Sequence, residues 1–582
     1  MKREWHSAQV MFPSAFTVRE AVIKSQTIDF TVITIDKSLM SLSYFRLLFL
    51  LTMIIKKPYL KTIEINNYIN STMVSAQLFE LIHSLSPSEK GYIKKKALSS
   101  GKGEENFYIK LFDAVANQQV YDEDKIIKKF KGEIFIKNIS KSKNHLYNLI
   151  LKRLVHFHEE NIVKIKIKGM LNQGFILYKK GLHQHALSHY ERALKLSLEN
   201  EELVIAHEIY SSMIAIYLSG NMGVKFPYEN EMAELSKKIQ KEQKISSLSN
   251  QITELMFSDN FNRDDEQIKK INDILTHPLL NEISSDDSFY TQWGKMCLFS
   301  HGYYLLGENK MAEEIKMKQL DFLRANKTIT NKTPMRYVKH LVNVVNAKLI
   351  INDFEPIPAL LEELKNYESE ETLFEHIEPL KTSTYYIQYF TYLTKTNQID
   401  KAYSLIEESS KWFEMNENSI SDYFKILFYN CIFLVYFLKG EFRKCIPWLN
   451  KILFMKTSFR KEFRLSMKFQ QLILHYELKN YELISYQIKA IYRDILKQNN
   501  DQEATKYILR WFQNFLKKIN HSDSLTQSAM EIKSRLNKMT TEDEWKVLNE
   551  MNLFNAWIDS KISNEPMGDC YAAHFKKEIT VE

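Results

Sequence analysis

Five histidines stand close together in the first third of the chain: His156 and His158, then His183, His185 and His189. Imidazoles can hold zinc when several ligands of suitable spacing converge on one site. The spacing here works against that. His156 and His158 are two residues apart and leave a helix on different sides. Only His185 and His189 share a face, and the repeat register described below turns that face outward. These side chains are expected to be solvated helix surface. A second pair, Cys570 and His574 in "DCYAAH", stands near the end of the chain and reads as part of a mobile tail rather than as a nucleophile with its base. "GKG" at Gly101–Gly103 lacks the rest of a phosphate loop and has no strand before it. No glycine-bounded serine elbow, Walker loop or dinucleotide fingerprint occurs. The expectation is a protein that is not an enzyme, with no catalytic residue, no cofactor and no metal site.

The totals say what kind of scaffold carries these residues. At 582 residues the chain is too long for one compact core, since single cores stop growing at roughly 250–300 residues. Several domains or an extended array must share the apolar surface. With only 14 glycines and 11 prolines, the chain has few tight turns, which argues against all-β and α/β folds. Four scattered cysteines, Cys297, Cys431, Cys445 and Cys570, suit free thiols in a reducing cytosol.

The net charge of +8 is concentrated at one end. Residues 89–168 hold 18 Lys/Arg against 10 Asp/Glu, and the chain from Gly169 onward is slightly acidic. "LLFLLTMII" (Leu47–Ile55) is too short to span a bilayer, which needs about 20 apolar residues, and membrane association is not expected. Residues 1–72 lack a sustained helical period. They read as a poorly ordered N-terminal arm or as sequence upstream of a true start at Met73. Helical order begins there. Ser86, Pro87 and Glu89 form a capping box. Phe107, Leu111, Phe112 and Val115 fall on one helical face. "YDEDKIIKKFKG" opens with acids and closes on a glycine stop. Residues 73–160 are therefore a basic helical head. Its last helix carries Lys141, Lys143, Asn144, His145, Lys152 and Arg153, side chains suited to nucleic acid. The burial that Leu146, Leu149, Ile150 and Leu154 need fixes much of that helix, and no clear glycine turn precedes it.

Beyond the head, one pattern recurs. "KKGLHQHA" (Lys179–Ala186) is a turn between two helices, and similar turns read "LLGENKMA", "IINDFEPI", "KTNQIDKA", "LKGEFRKC" and "ELKNYELI". Their turn residues Gly307, Asn352, Asn397, Gly440 and Lys479 are about 39–45 apart. Gly181 to Gly307 leaves room for two degenerate units, with breaks near Gly220–Gly223 and Asp259–Asp264. Each turn residue tolerates a left-handed conformation. A helix pair of this size cannot bury its apolar face alone, whereas stacked pairs can.

In Gln173–Ser197, Gly174, Leu177, Gly181, Ala186, Tyr190 and Ala193 fall at the signature spacings of the tetratricopeptide repeat, and the segment resembles a unit of that family. The period of about 42 exceeds the family's typical 34. The resemblance implies an all-α protein, an α-solenoid of stacked helical hairpins over 161–500, closed by capping helices over 501–558 that include Trp511, Trp545 and Trp557. Residues 559–582 are expected to form a mobile tail. It also implies a concave groove, lined by the first helix of each unit, that binds a protein or peptide segment. Counting back from each turn places Phe175, Tyr178, His301, Tyr304, Asn346, Asn430, Phe437, Ile473 and Tyr476 on that side. The expected function is a cytoplasmic scaffold or adaptor. The alternative is a regulator whose head, through 89–168, binds nucleic acid while the repeats sense a ligand. That layout is similar to the bacterial peptide-sensing regulators.

Overall fold

The computed structural model describes residues 22–25, 28–31, 76–99, 105–219, 225–257, 265–280, 286–368, 377–455, 461–497, 503–517, 522–536 and 552–576. Apart from a small antiparallel hairpin, β1 (Val22–Ser25) with β2 (Ile28–Thr31), every described element is helical. The chain divides into two units, Met1–Phe157 and His158–Glu582.

The first unit holds a helix over 76–84, α1, then α2 (Pro87–Ser99), α3 (Glu105–Ala116), α4 (Glu123–Lys129) and α5 (Ile139–His158). The capping box is formed. The Ser86 backbone N–H donates to the Glu89 carboxylate at 2.8 Å, and the Glu89 N–H donates to Ser86 Oγ at 3.1 Å. Asp122 caps α4 through the Lys125 N–H, and Gly132 lies just beyond that helix with φ +99°. Leu78, Ile82, Leu111, Phe112, Val115, Leu146 and Ile150 build the core, with Phe107 packed at its edge. Lys143 belongs to this core too. It is fully buried and paired with Glu123 at 2.6 Å.

The second unit starts with α6 (Val163–Lys179) and α7 (His183–Glu199). Gly174 faces Tyr190 so closely that a Cβ would stand 2.4 Å from its ring, and Ala186 and Ala193 are fully buried. The small residues are there because two backbones approach across them. There follow α8 (Leu203–Ser219), α9 (Glu229–Phe257), α10 (Asp265–Leu275), α11 (Phe289–Leu306), α12 (Asn309–Ala325), α13 (Pro334–Ile350) and α14 (Ile357–Asn366). Next come α15 (Ile377–Lys395), α16 (Ile399–Met415), α17 (Asp422–Leu438), α18 (Phe442–Phe454), α19 (Lys461–Glu477) and α20 (Tyr481–Lys497). The last are α21 (Glu503–Lys517), α22 (Ser522–Leu536), α23 (Asn552–Ser563) and α24 (Met567–Lys576).

All six expected turn residues, Gly181, Gly307, Asn352, Asn397, Gly440 and Lys479, have positive φ. At each, the next N–H reaches back five residues to a helix carbonyl, as in Leu182 to Leu177, Glu308 to Tyr303 and Gln398 to Leu393. This bond satisfies a carbonyl that the helix end leaves open. Glu201 makes a further turn of the same kind, φ 57°, between α7 and α8. The two breaks expected near Gly220 and Asp259 fall mostly outside the described residues. Between them stands a single helix of 29 residues, α9, rather than a hairpin. Successive helices pack on each other, and α13, α15 and α17 also pack side by side.

Two expectations about the end of the chain are resolved differently. Trp511 and Trp557 are buried in the core around α19, α21 and α23, as a cap requires, with Trp557 fully enclosed; Trp545 lies outside the described residues. The mobile tail, by contrast, is corrected as far as Lys576. Helix α24 buries Cys570, Tyr571 and Phe575 and packs on α15 and α17. Gly568 lets it sit on the Asn397 turn, where a Cβ would lie 3.1 Å from Asn397 Oδ1. Apolar residues four apart, Tyr571 and Phe575, supply the face that holds it.

Candidate interaction groove

A groove of about 600 Å³ runs across α13, α15 and α17, each the first helix of its unit. On α13, Val338, Val342, Asn346 and Leu349 recur at three and four residues and so share one side. Val338 and Leu349 are buried and belong also to the core below the groove, together with Leu341, Val344 and Val345. Leu380, Thr384, Ile387, Gln388 and Thr391 line the groove from α15, and Tyr423, Phe424 and Leu427 line it from α17. Gln388 Nε2 donates to Asn346 Oδ1 at 2.8 Å across two helices. At the C-terminal ends of α13 and α15, Lys395 donates to the Leu349 carbonyl at 2.8 Å and lies 4.1 Å from the Phe575 ring centroid. The lining contains two lysines, Lys339 and Lys395, and no carboxylate. Tyr423 and Ile350 are about half exposed. The chemistry is that of an apolar trough edged by amides and hydroxyls.

A second group surrounds His301 and Tyr304. On α11, Tyr290, Trp293, Cys297, His301 and Tyr304 recur at three and four residues and form one strip. Facing them are Lys316 and Gln319 from α12 and Arg336 and His340 from α13. The Arg336 guanidinium lies over the rings of Tyr290 (5.0 Å), Phe289 (5.7 Å) and Trp293 (5.9 Å). Lys316 Nζ lies 5.6 Å from the Tyr304 ring. His340 Nε2 hydrogen-bonds the Lys316 carbonyl at 2.9 Å, and Gln319 donates to Cys297 Sγ at 3.1 Å. Burial, and then the field of Lys316, brings His301 down to about 4. Burial also lowers His340 to about 4. It pushes the Cys297 thiol up to about 11, so this sulfur is not an anion at neutral pH.

The remaining expected positions divide. Phe175 is exposed and Tyr178 half-buried on α6, with the Lys179 ammonium over both rings. Asn430 is half-buried on α17, and its Oδ1 has no hydrogen-bond partner. Phe437, Ile473 and Tyr476 are corrected to core. Phe437 and Ile473 are fully enclosed, and Tyr476 packs against Phe515 and Trp557. For Tyr476 the physical reason is the C-terminal helices, which return over α19; Phe437 packs on Phe433 of its own helix and Phe442 across the turn. Thus the structure brings Asn346 to the groove, His301 and Tyr304 to the strip, and Phe175 and Tyr178 to a separate surface. Counting back from the turns did not reach Gln388, Tyr423, Lys316 or Arg336. These stand on faces that the turn register does not single out. In the head, Lys143 is buried and bonded to Glu123, which removes it from a phosphate-binding edge; His145 is exposed and stacks on Tyr108 at 4.8 Å. Among the described residues no three His, Cys, Asp or Glu side chains converge to hold a metal, and no helix is long and apolar enough to cross a membrane.

In comparisons with known proteins, no family model matches this chain, and no curated protein matches it.

Proposed function

We propose that this chain is a non-enzymatic, cytoplasmic scaffold or adaptor. In this reading the second unit is a tetratricopeptide-like solenoid that holds a protein or peptide segment in the groove across α13, α15 and α17. The observation that carries it is the groove itself. Three consecutive first helices supply its walls, its floor is apolar, and amide and hydroxyl groups of Asn343, Asn346, Thr384, Gln388 and Thr391 line it. An extended segment needs both parts. Apolar side chains want the floor, and backbone N–H and C=O groups taken from water need partners. The exposed Tyr423 offers a large contact at low entropic cost.

The test is affinity purification from the native cell with wild type beside Tyr423→Ala/Asn343→Ala. Both residues are on the surface, and folding is checked by thermal unfolding. Recovery of a specific partner should fall at least tenfold in the double variant, as loss of a contact worth about 1.4 kcal/mol or more requires. Equal recovery removes the groove from the function. A second reading, a regulator that binds nucleic acid through residues 89–168, rests on the basic surplus of that stretch. It requires retention on heparin that falls steeply with salt. Flat salt dependence eliminates it.

A further inference from the structure

The strip along α11 is unusual within its unit. Three other withdrawn cations of the unit are matched by carboxylates. Lys348 is held by Glu313 at 2.7 Å and Asp353 at 2.6 Å, Arg324 by Glu363, and Lys381 by Glu378 at 2.8 Å. Lys316 and Arg336 have no carboxylate within salt-bridge distance among the described residues, and the Arg336 Nη1 nitrogen is buried with no hydrogen-bond partner. His340 links the two: its Nε2 bonds the Lys316 carbonyl at 2.9 Å, and its ring lies 5.0 Å from that of Trp293, over which Arg336 also lies. Two cations and two imidazoles therefore share one small region. Glu313, three residues before Lys316 on α12, acts on it without bonding to it, because its carboxylate is engaged by Lys348.

We propose that this strip is a binding site for an oxyanion, a carboxylate or phosphate group carried by a ligand. The parts have distinct roles. The rings of Tyr290, Phe289 and Trp293 surround the Arg336 guanidinium and confine it, and its planar donor fork can meet two oxygens at once. Lys316 supplies a point charge from the facing helix. His301 and Tyr304 flank it at the solvent edge and add a ring nitrogen and a hydroxyl. Charges drawn out of water without counter-ions are costly to hold, and an arriving oxyanion removes that cost. The site lies on α11–α13 and does not depend on whether the neighbouring groove holds a peptide.

The experiment is calorimetric titration of the full chain near pH 7 with inorganic phosphate and, separately, with hexaglutamate. Lys316→Gln and Arg336→Gln are run in parallel. Saturable, salt-sensitive binding of at least one probe is expected, weakened at least tenfold in each variant. The variants' unfolding midpoints should be unchanged or higher, since each removes an uncompensated charge. Phosphate binding alone marks a free phosphate-bearing ligand as the source; hexaglutamate binding alone, or far tighter, marks an acidic segment. Arg336→Lys, which keeps the charge and loses the fork, should fall between wild type and Arg336→Gln and guards against a variant that merely unpacks the aromatic rings. No saturable binding of either probe at millimolar concentration overturns the site. So does equal binding in wild type and Lys316→Gln, or a clear loss of stability in Lys316→Gln.

Discussion

Lys295 and Lys316 are both withdrawn from water, the first on α11 and the second on α12. Lys295 is fully buried and bonded to Asp287 at 2.8 Å, and Asp287 also takes Lys241. Burial works to raise the Asp287 carboxyl, and the two lysines outweigh it and hold the group below its usual range. Lys316 has no such partner, and its own proton affinity is lowered, first by burial. The two lysines teach the difference between a cation that closes a structure and one that waits for something. A carboxylate built into the fold makes the first a fixed knot. Its absence leaves the second exposed to whatever anion comes near.

The largest test of this contrast is Asp287→Ala. It takes away the carboxylate bonded to Lys295, and breaking a buried pair by removing one partner costs about 3–5 kcal/mol. Urea unfolding of variant and wild type measures it, and a change under about 1 kcal/mol would mean that Lys295 is not held by this bond. Acid comes next. His301 and His340 take protons at about 4 when folded and at 6.5 when unfolded. Between those values the unfolded chain binds more protons, so stability is full above pH 6.5 and is lost as pH falls toward 4, by up to roughly 3 kcal/mol per histidine. Unfolding at pH 7.5, 6 and 5 should show the decline, and His340→Gln should flatten it. A steric control away from both lysines is Ala186→Leu. Overpacking the α6–α7 contact should cost roughly 1–3 kcal/mol, and an unchanged midpoint would show that the helices do not meet there. Lys316→Gln has the smallest effect, within about 0.5 kcal/mol of wild type or slightly stabilising. A loss as large as that of Asp287→Ala would erase the distinction between the two lysines.

Much of this arrangement is legible in the residues. Gly181, Gly307, Asn352, Asn397, Gly440 and Lys479 take the left-handed turns that their place between apolar helices requires, and Ser86 with Glu89 makes its capping box. Glu201 is missed because glutamate carries no preference for positive φ; the Ser197 carbonyl imposes its turn, not its own side chain. Tyr476 is misplaced for a longer-range reason: Trp557, which covers it, is no neighbour in any repeat register. Phe437 is misplaced for a local one, since Phe433 and Phe442 of its own hairpin enclose its ring. The strip around His301 shows the same limit in reverse. His301 and Tyr304 can be counted from their turn, but the cations that give them a role come from α12 and α13.

Helix α24 has a consequence for how the chain is made. Contacts between successive helices are local, and each can form soon after its residues leave the ribosome. The contact between Asn397 and Asp569 spans 172 residues. At about 5–20 residues per second, synthesis of that interval takes roughly 9–34 s. Once α17 follows α15, both stand complete for most of that time, while the surface destined for Tyr571 and Phe575 faces solvent. The final helix is therefore a late closure of high contact order, and nascent chains halted before residue 567 present an apolar patch to chaperones that the finished protein conceals.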